Sequence, residues 1–210
     1  MLIREFCAEN FTDIPAAVAT GVERIELCDN LAVGGTTPSY AVIQESAAYL
    51  KDSKTSLATM IRPRGGDFVY HDIELRIMEL DILKAIEAGT SELVFGALTP
   101  DYDLDLEALE TLMIASQGLP VTFHMAFDAI PDDRQKAALD TLVTLGFDKV
   151  LLHGGPLDTP INTDKIAQLV AHANGRIQIL AGGGVSADNA QTIANQTGSP
   201  YVHGTRIVDL

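Results

Sequence analysis

Short aliphatic and β-branched runs alternate along the chain with longer segments whose apolar residues recur at helical spacing. The runs are Leu2–Cys7, Glu23–Cys28, Ser56–Arg62, Glu92–Ala97, Pro120–His124, Lys149–His153, Arg176–Ala181 and Pro200–His203. The clearest amphipathic segment is Asp72–Ala88. Leu75, Met78, Ile82, Leu83 and Ile86 fill its apolar side, Asp72 suits an N-cap, and Gly89 suits the position just past the end. The same pattern predicts helices over Ile14–Thr20, Tyr40–Leu50 behind a Ser39 cap, Asp105–Ser116, Asp132–Leu145, Asn162–Ala173 and Ser186–Thr197. Eight strands joined by seven helices on short connections predict a parallel sheet with right-handed crossovers. The regularity, with no insertion at a switch point, favours one α/β domain over residues 1–210: a (β/α)8 TIM barrel. Only Gly204–Leu210 follow the last strand, so the eighth helix is expected to be absent or vestigial.

Composition narrows the partners. The 210 residues are 47% hydrophobic, enough for a full core, and the formal net charge is −15. Such a field repels nucleic-acid backbones and anionic membranes, so neither is expected as a partner. No window approaches the roughly 18 apolar residues of a membrane span. Charge follows the first two apolar residues after the start, at Arg4 and Glu5, unlike a signal peptide, which leads to an expected cytoplasmic location. Two cysteines make no disulfide scaffold. A homodimer or higher homo-oligomer is compatible with the chain, but no segment marks its interface.

Candidate chemistry gathers at the C-terminal ends of the strands, where a TIM barrel places its active site. Period two puts Glu5 with Cys7, and Glu26 with Cys28, on faces opposite Phe6, Ile25 and Leu27. The apolar set suits the helices, so both Glu-x-Cys pairs are expected in the lumen. Adjacent strands lie about 4.8 Å apart, which predicts that Cys7 and Cys28 are neighbours. Two thiols that merely fill space are the plainer alternative. Arg62 and Arg64 flank Pro63 and precede Gly65-Gly66, and read either as an anion clamp or as salt-bridge partners of Glu5 and Glu26. His124 and His153 end their strands where a general acid, base or metal ligand is expected. Gly182, Gly183 and Gly184 after the seventh strand, with His203 and Gly204 at the eighth, fit a phosphate cradle. The catalytic set is then Glu5, Glu26, Arg62 and His124. Arg64, Asp128, His153 and the glycines would bind a small anionic or phosphorylated metabolite in a lyase or isomerase reaction.

Three stretches carry a resemblance to a known family. They are Glu23–Ser39, which contains Glu26-Leu-Cys-Asp-Asn-Leu-Ala-Val-Gly-Gly35, then Met60-Ile-Arg-Pro-Arg-Gly-Gly-Asp-Phe-Val-Tyr70, and Phe123-His-Met-Ala-Phe-Asp128. Together they resemble the CutC family, named for copper homeostasis, from Leu2 to Arg206. The resemblance implies a (β/α)8 barrel and the binding of copper, as Cu(I), with Cys7 and Cys28 as ligands. It implies no assigned reaction. Many members carry Arg where this chain has Met125, and longer members continue past the eighth strand.

Overall fold

The structure is a computed structural model and describes residues 2–210. Strand and helix alternate as β1 Ile3–Glu9, α1 Ile14–Ala19, β2 Arg24–Cys28, α2 Tyr40–Leu50, β3 Ser56–Met60, α3 Asp72–Ala88, β4 Glu92–Phe95 and α4 Leu106–Ala115. They continue as β5 Val121–Phe123, α5 Gln135–Leu145, β6 Lys149–Leu152, α6 Thr163–Ala173, β7 Gln178–Ala181, α7 Ala190–Thr197 and β8 Tyr201–Gly204. The eight strands close into a parallel barrel in sequence order, with β8 against β1. Thr205–Leu210 form no helix, but Ile207 and Val208 are buried in the outer apolar shell.

The expected elements all appear, and the differences are at their ends. Ile61, Arg62, His124 and His153 leave the ladders and enter the loops. His124 instead caps a short 3-10 helix, Met125–Ala129, by accepting from Ala126 N. His71 rather than Asp72 precedes α3, and the Glu74 carboxylate takes the His71 N–H at 2.9 Å. That reverse contact frees Asp72 to start the helix. α7 begins four residues later than expected, because Asn189 Oδ1 takes the Ser186 N–H at 2.8 Å and folds Ser186–Asn189 into a turn. Ser39, Asp105 and Asn162 cap α2, α4 and α6 through their side chains.

Two cores result from period two. Outward residues such as Ile25, Leu27, Phe95 and Phe123 pack under the helices in one continuous shell. Complete burial of each is worth about 1.5–3 kcal/mol. The inward set is smaller: Cys7, Cys28, Ala58, Met60 and Val94, joined by Leu31 from the loop after β2. The rest of the lumen is polar, and that is where the chemistry sits.

Candidate functional site

The lower lumen holds a linked set of ion pairs. Arg24 of β2 reaches Glu5 Oε2 at 2.5 Å, Glu92 Oε2 at 2.9 Å and the Thr122 hydroxyl at 2.9 Å. Lys149 donates to the same Glu92 oxygen at 2.8 Å. Five strands, β1, β2, β4, β5 and β6, are thereby tied across the barrel centre. Buried charges need such partners, and here each carboxylate has one. Arg62 and Arg64 were the alternative partners of Glu5 and Glu26; the structure pairs Glu5 with Arg24 and gives Glu26 no arginine, only His203. Period two places Arg24 on the face of Glu26 and Cys28, so its lumen position is legible in the sequence.

Above this layer, His203 of β8 leans on β1. Its Nδ1 donates to Glu5 Oε1 at 2.7 Å, and its Nε2 lies 3.7 Å from Glu26 Oε2. Cys7 Sγ and Cys28 Sγ lie 3.3 Å and 3.5 Å from that same Glu26 oxygen. Donor atoms of Cys7, Glu26 and His203, all buried, fall within 4.8 Å of one another, the spacing of a metal-binding group. His203 was expected as an anion contact, whereas the structure sets it beside a thiol and a carboxylate. The two cysteines are not direct cross-strand partners: the ladder pairs Cys7 with Glu26 and Cys28 with Glu9. The stagger that closes a barrel offsets them along the strands. They meet instead at the Glu26 carboxyl.

Proton occupancy follows from this packing. The Cys28 S–H bond to Cys7 stabilises the Cys7 thiolate most, burial opposes it, and His203 adds to it; the thiol is pulled down from 9.0 to about 5. Cys28, as that donor and as a buried group, is pushed well up. Burial raises Glu26 far above the usual carboxylate range, against the pull of His203. Burial likewise opposes charge on His203, but Glu26, Cys7 and Glu5 outweigh it and raise the imidazole. For Glu5, burial is overcome by Arg24 and His203, and the carboxyl stays ionised.

A cavity of about 310 Å³ opens over this floor, with Cys7, Glu26, Cys28 and His203 below and Arg62, Phe68 and His124 on its walls. Arg62 does not present a clamp. Its Nη1 donates to Val33 O and Gly35 O, and its Nη2 to Gly66 O, which laces the loop after β2 to the loop after β3. Arg64 is held by Glu74 at 2.5 Å, Asp67 and the carbonyls of Gly65 and Val69, and does not line the cavity. The terminal nitrogens of both arginines are taken up by protein acceptors and Arg62 Nε is buried without a partner, so the expected fork braces the two loops.

The remaining candidates at the β6 and β7 ends also serve the scaffold. Asp128 accepts from the backbone N–H groups of His153, Gly154 and Gly155. His153 sets Nδ1 against Gly182 O and Gly183 O at 3.1 Å, and Nε2 against Thr159 O at 3.0 Å. Gly182 donates its N–H to Leu152 O, and a Cβ at Gly183 would come within 2.5 Å of His153 Nδ1. At Gly204 a Cβ would fall 2.4 Å from Val185 O. These glycines answer to close packing, which also needs Gly and is indistinguishable from a phosphate cradle in sequence.

Comparison with known proteins agrees with this frame. The family model for the CutC family matches residues 2–208. A family protein CutC of Streptococcus pyogenes is 58% identical, over 99% of this chain and 100% of its own. The copper homeostasis protein cutC homolog of Homo sapiens is 42% identical, over 96% of this chain and 72% of its own. A crystal structure titled for copper homeostasis protein CutC of Streptococcus agalactiae superposes with a TM-score of 0.96 at 55% identity, covering 99% of this chain and 100% of that one. Among the described residues, no helix is long and apolar enough to cross a membrane.

Proposed function

Because this chain belongs to the CutC family, we propose that it handles copper as cargo, holding the ion as Cu(I) between the Cys7 and Cys28 thiols at the barrel mouth. The observation that carries the reading is the convergence of both sulfurs on one carboxylate oxygen, Glu26 Oε2, at 3.3 Å and 3.5 Å. Soft sulfur donors select Cu(I) over harder cations, and two suffice for near-linear coordination. The Met60 thioether belongs to the same small cluster, and His203 Nε2 would supply a further donor once it gives up its proton. The donor set therefore fits the ion.

Cys7 is already held as a thiolate. Cys28 is not, so its proton is released when both sulfurs ligate. Glu5, anchored by Arg24, keeps His203 turned so that its Nε2 faces the sulfurs. The same reading places the protein in the cytoplasm, where a reducing pool keeps two such thiols free.

Competition titration of the reduced protein with Cu(I) against a bicinchoninate chelator tests this. Cys7→Ser and Cys28→Ser are each expected to weaken binding by about 100-fold or more, in line with the loss of a ligand at a metal site. A double variant that binds Cu(I) as tightly as the wild type would sink the assignment.

A further inference from the structure

Cys7 and Cys28 lie at the bottom of the cavity. They are 6% and 1% exposed, and Met60 and Leu151, which line the same space, are buried with them. Leu157 at 63% and Val33 at 42% are the exposed large hydrophobic residues of the lining, which sets them at its rim. They belong to the connections after β6 and β2, while Phe68 and Met125 add walls from the connections after β3 and β5. A ligand must pass these side chains before it meets a sulfur.

The space is larger than a lone ion requires. Its volume of about 310 Å³ lies at the lower end of the range for pockets that take organic molecules, roughly 300–1,000 Å³. Cu(I) favours soft sulfur donors, so it comes to the protein bonded to a carrier rather than bare. The carrier's sulfur stays on the ion until Cys7 or Cys28 has bonded, and so must itself reach the floor. The wall side chains Leu31, Val33, Phe68, Met125, Leu151 and Leu157 match an uncharged body there. The net charge of −15 repels a carrier bearing several carboxylates.

We propose that copper reaches these sulfurs as the Cu(I) complex of a compact, uncharged monothiol that enters the cavity, and not by contact with a copper site on another folded protein. The inference rests on the copper reading and names the form in which the cargo arrives. Cys7, the more exposed of the pair, bonds the ion first, and Cys28 follows. Two copper–sulfur bonds form and the one to the carrier breaks. The carrier leaves as the thiol, taking the proton that Cys28 gives up, and copper remains Cu(I) throughout.

The test times Cu(I) uptake by the reduced protein, without oxygen, from 2-mercaptoethanol, from the same thiol linked to soluble dextran, and from glutathione. Each rate is divided by that of a short dicysteine peptide, whose open sulfurs report the donor's own reactivity. The dextran-linked and glutathione donors are expected to fall behind free 2-mercaptoethanol by about tenfold or more. Leu157→Trp, which narrows the rim, should slow the free donor by a similar factor while the Cu(I) affinity in bicinchoninate competition stays at the wild-type value; Val33→Trp takes its place if that variant does not fold. Equal relative rates from the free thiol and either bulky donor, or an unslowed rim variant, overturn this proposal and leave the copper reading standing. No Cu(I) binding in the competition titration overturns both.

Discussion

His203 Nδ1 and Glu5 Oε1, 2.7 Å apart, join the last strand of the barrel to the first. The bond stands where closure of the sheet is completed, and it orients the one imidazole that faces the thiols. Glu5→Gln keeps the shape and removes the charge. Since Glu5 is one of the groups that raise His203, the imidazole of the variant should titrate at lower pH. NMR titration of the His203 ring measures it, and an unchanged midpoint would show that Glu5 does not hold the proton there.

Arg24 is expected to matter more for stability than either loop arginine. Arg24→Ala leaves Glu5 and Glu92 facing each other's side of the lumen without their shared guanidinium. Breaking a buried pair in this way costs about 3–5 kcal/mol. Urea unfolding of the variant reads the loss, and a change under about 1 kcal/mol would mean that water or Lys149 replaces the guanidinium.

Stability should fall as pH rises from about 6.5 towards 9. In the lower part of this window the folded floor carries a protonated Glu26, a charged His203 and a Cys7 thiolate, while the unfolded chain carries an ionised Glu26 and neutral His203 and Cys7. The raised His203 stabilises fully below 6.5 and loses that contribution as pH climbs through its folded value. The lowered Cys7 contributes fully above 9.0 and loses that contribution as pH falls through about 5. The raised Glu26 is a growing penalty above 4.5. The sum is one extra proton in the folded state, which sets a limit of about 1.4 kcal/mol lost per pH unit. Between about 5 and 6.5 the three occupancies balance and stability should be level. Urea midpoints at intervals from pH 5.5 to 8.5 provide the measurement; His203→Gln should remove the decline, and a wild-type rise across the upper window would contradict the assigned protons.

Two glycines near the β7 and β8 ends should respond unequally to alanine. At Gly204 the added carbon meets the Val185 carbonyl at 2.4 Å, a backbone atom that cannot swing away, and the cost is expected near 3 kcal/mol. At Gly184 nothing lies within 4 Å and only its φ of +81° opposes a side chain, so the cost is about 1 kcal/mol. Thermal unfolding of both variants tests the ranking, and equal losses would argue that backbone conformation rather than packing governs the region.

Legibility differed sharply between fold and site. Strand order, helix count and the lumen parity of Glu5, Cys7, Glu26 and Cys28 follow from local periodicity, because each residue's inward or outward direction is set by its own strand. Asp128 and His153 read as ligand contacts from their place at strand ends. Their hydrogen bonds go to backbone groups on other loops, and a sequence does not display such partners.

The chain by itself determined that a barrel forms and which side chains turn into it, since period two and helical spacing are properties of short segments. It also placed two thiols and two carboxylates on the first two strands. Only the closed sheet decided who meets whom. The stagger between β1 and β2 separates the cysteines along the strands and brings them together at Glu26, and closure of β8 on β1 delivers His203, almost two hundred residues from Glu5, to its carboxylate. Register and closure are collective outcomes of eight strands, so no single segment encodes them.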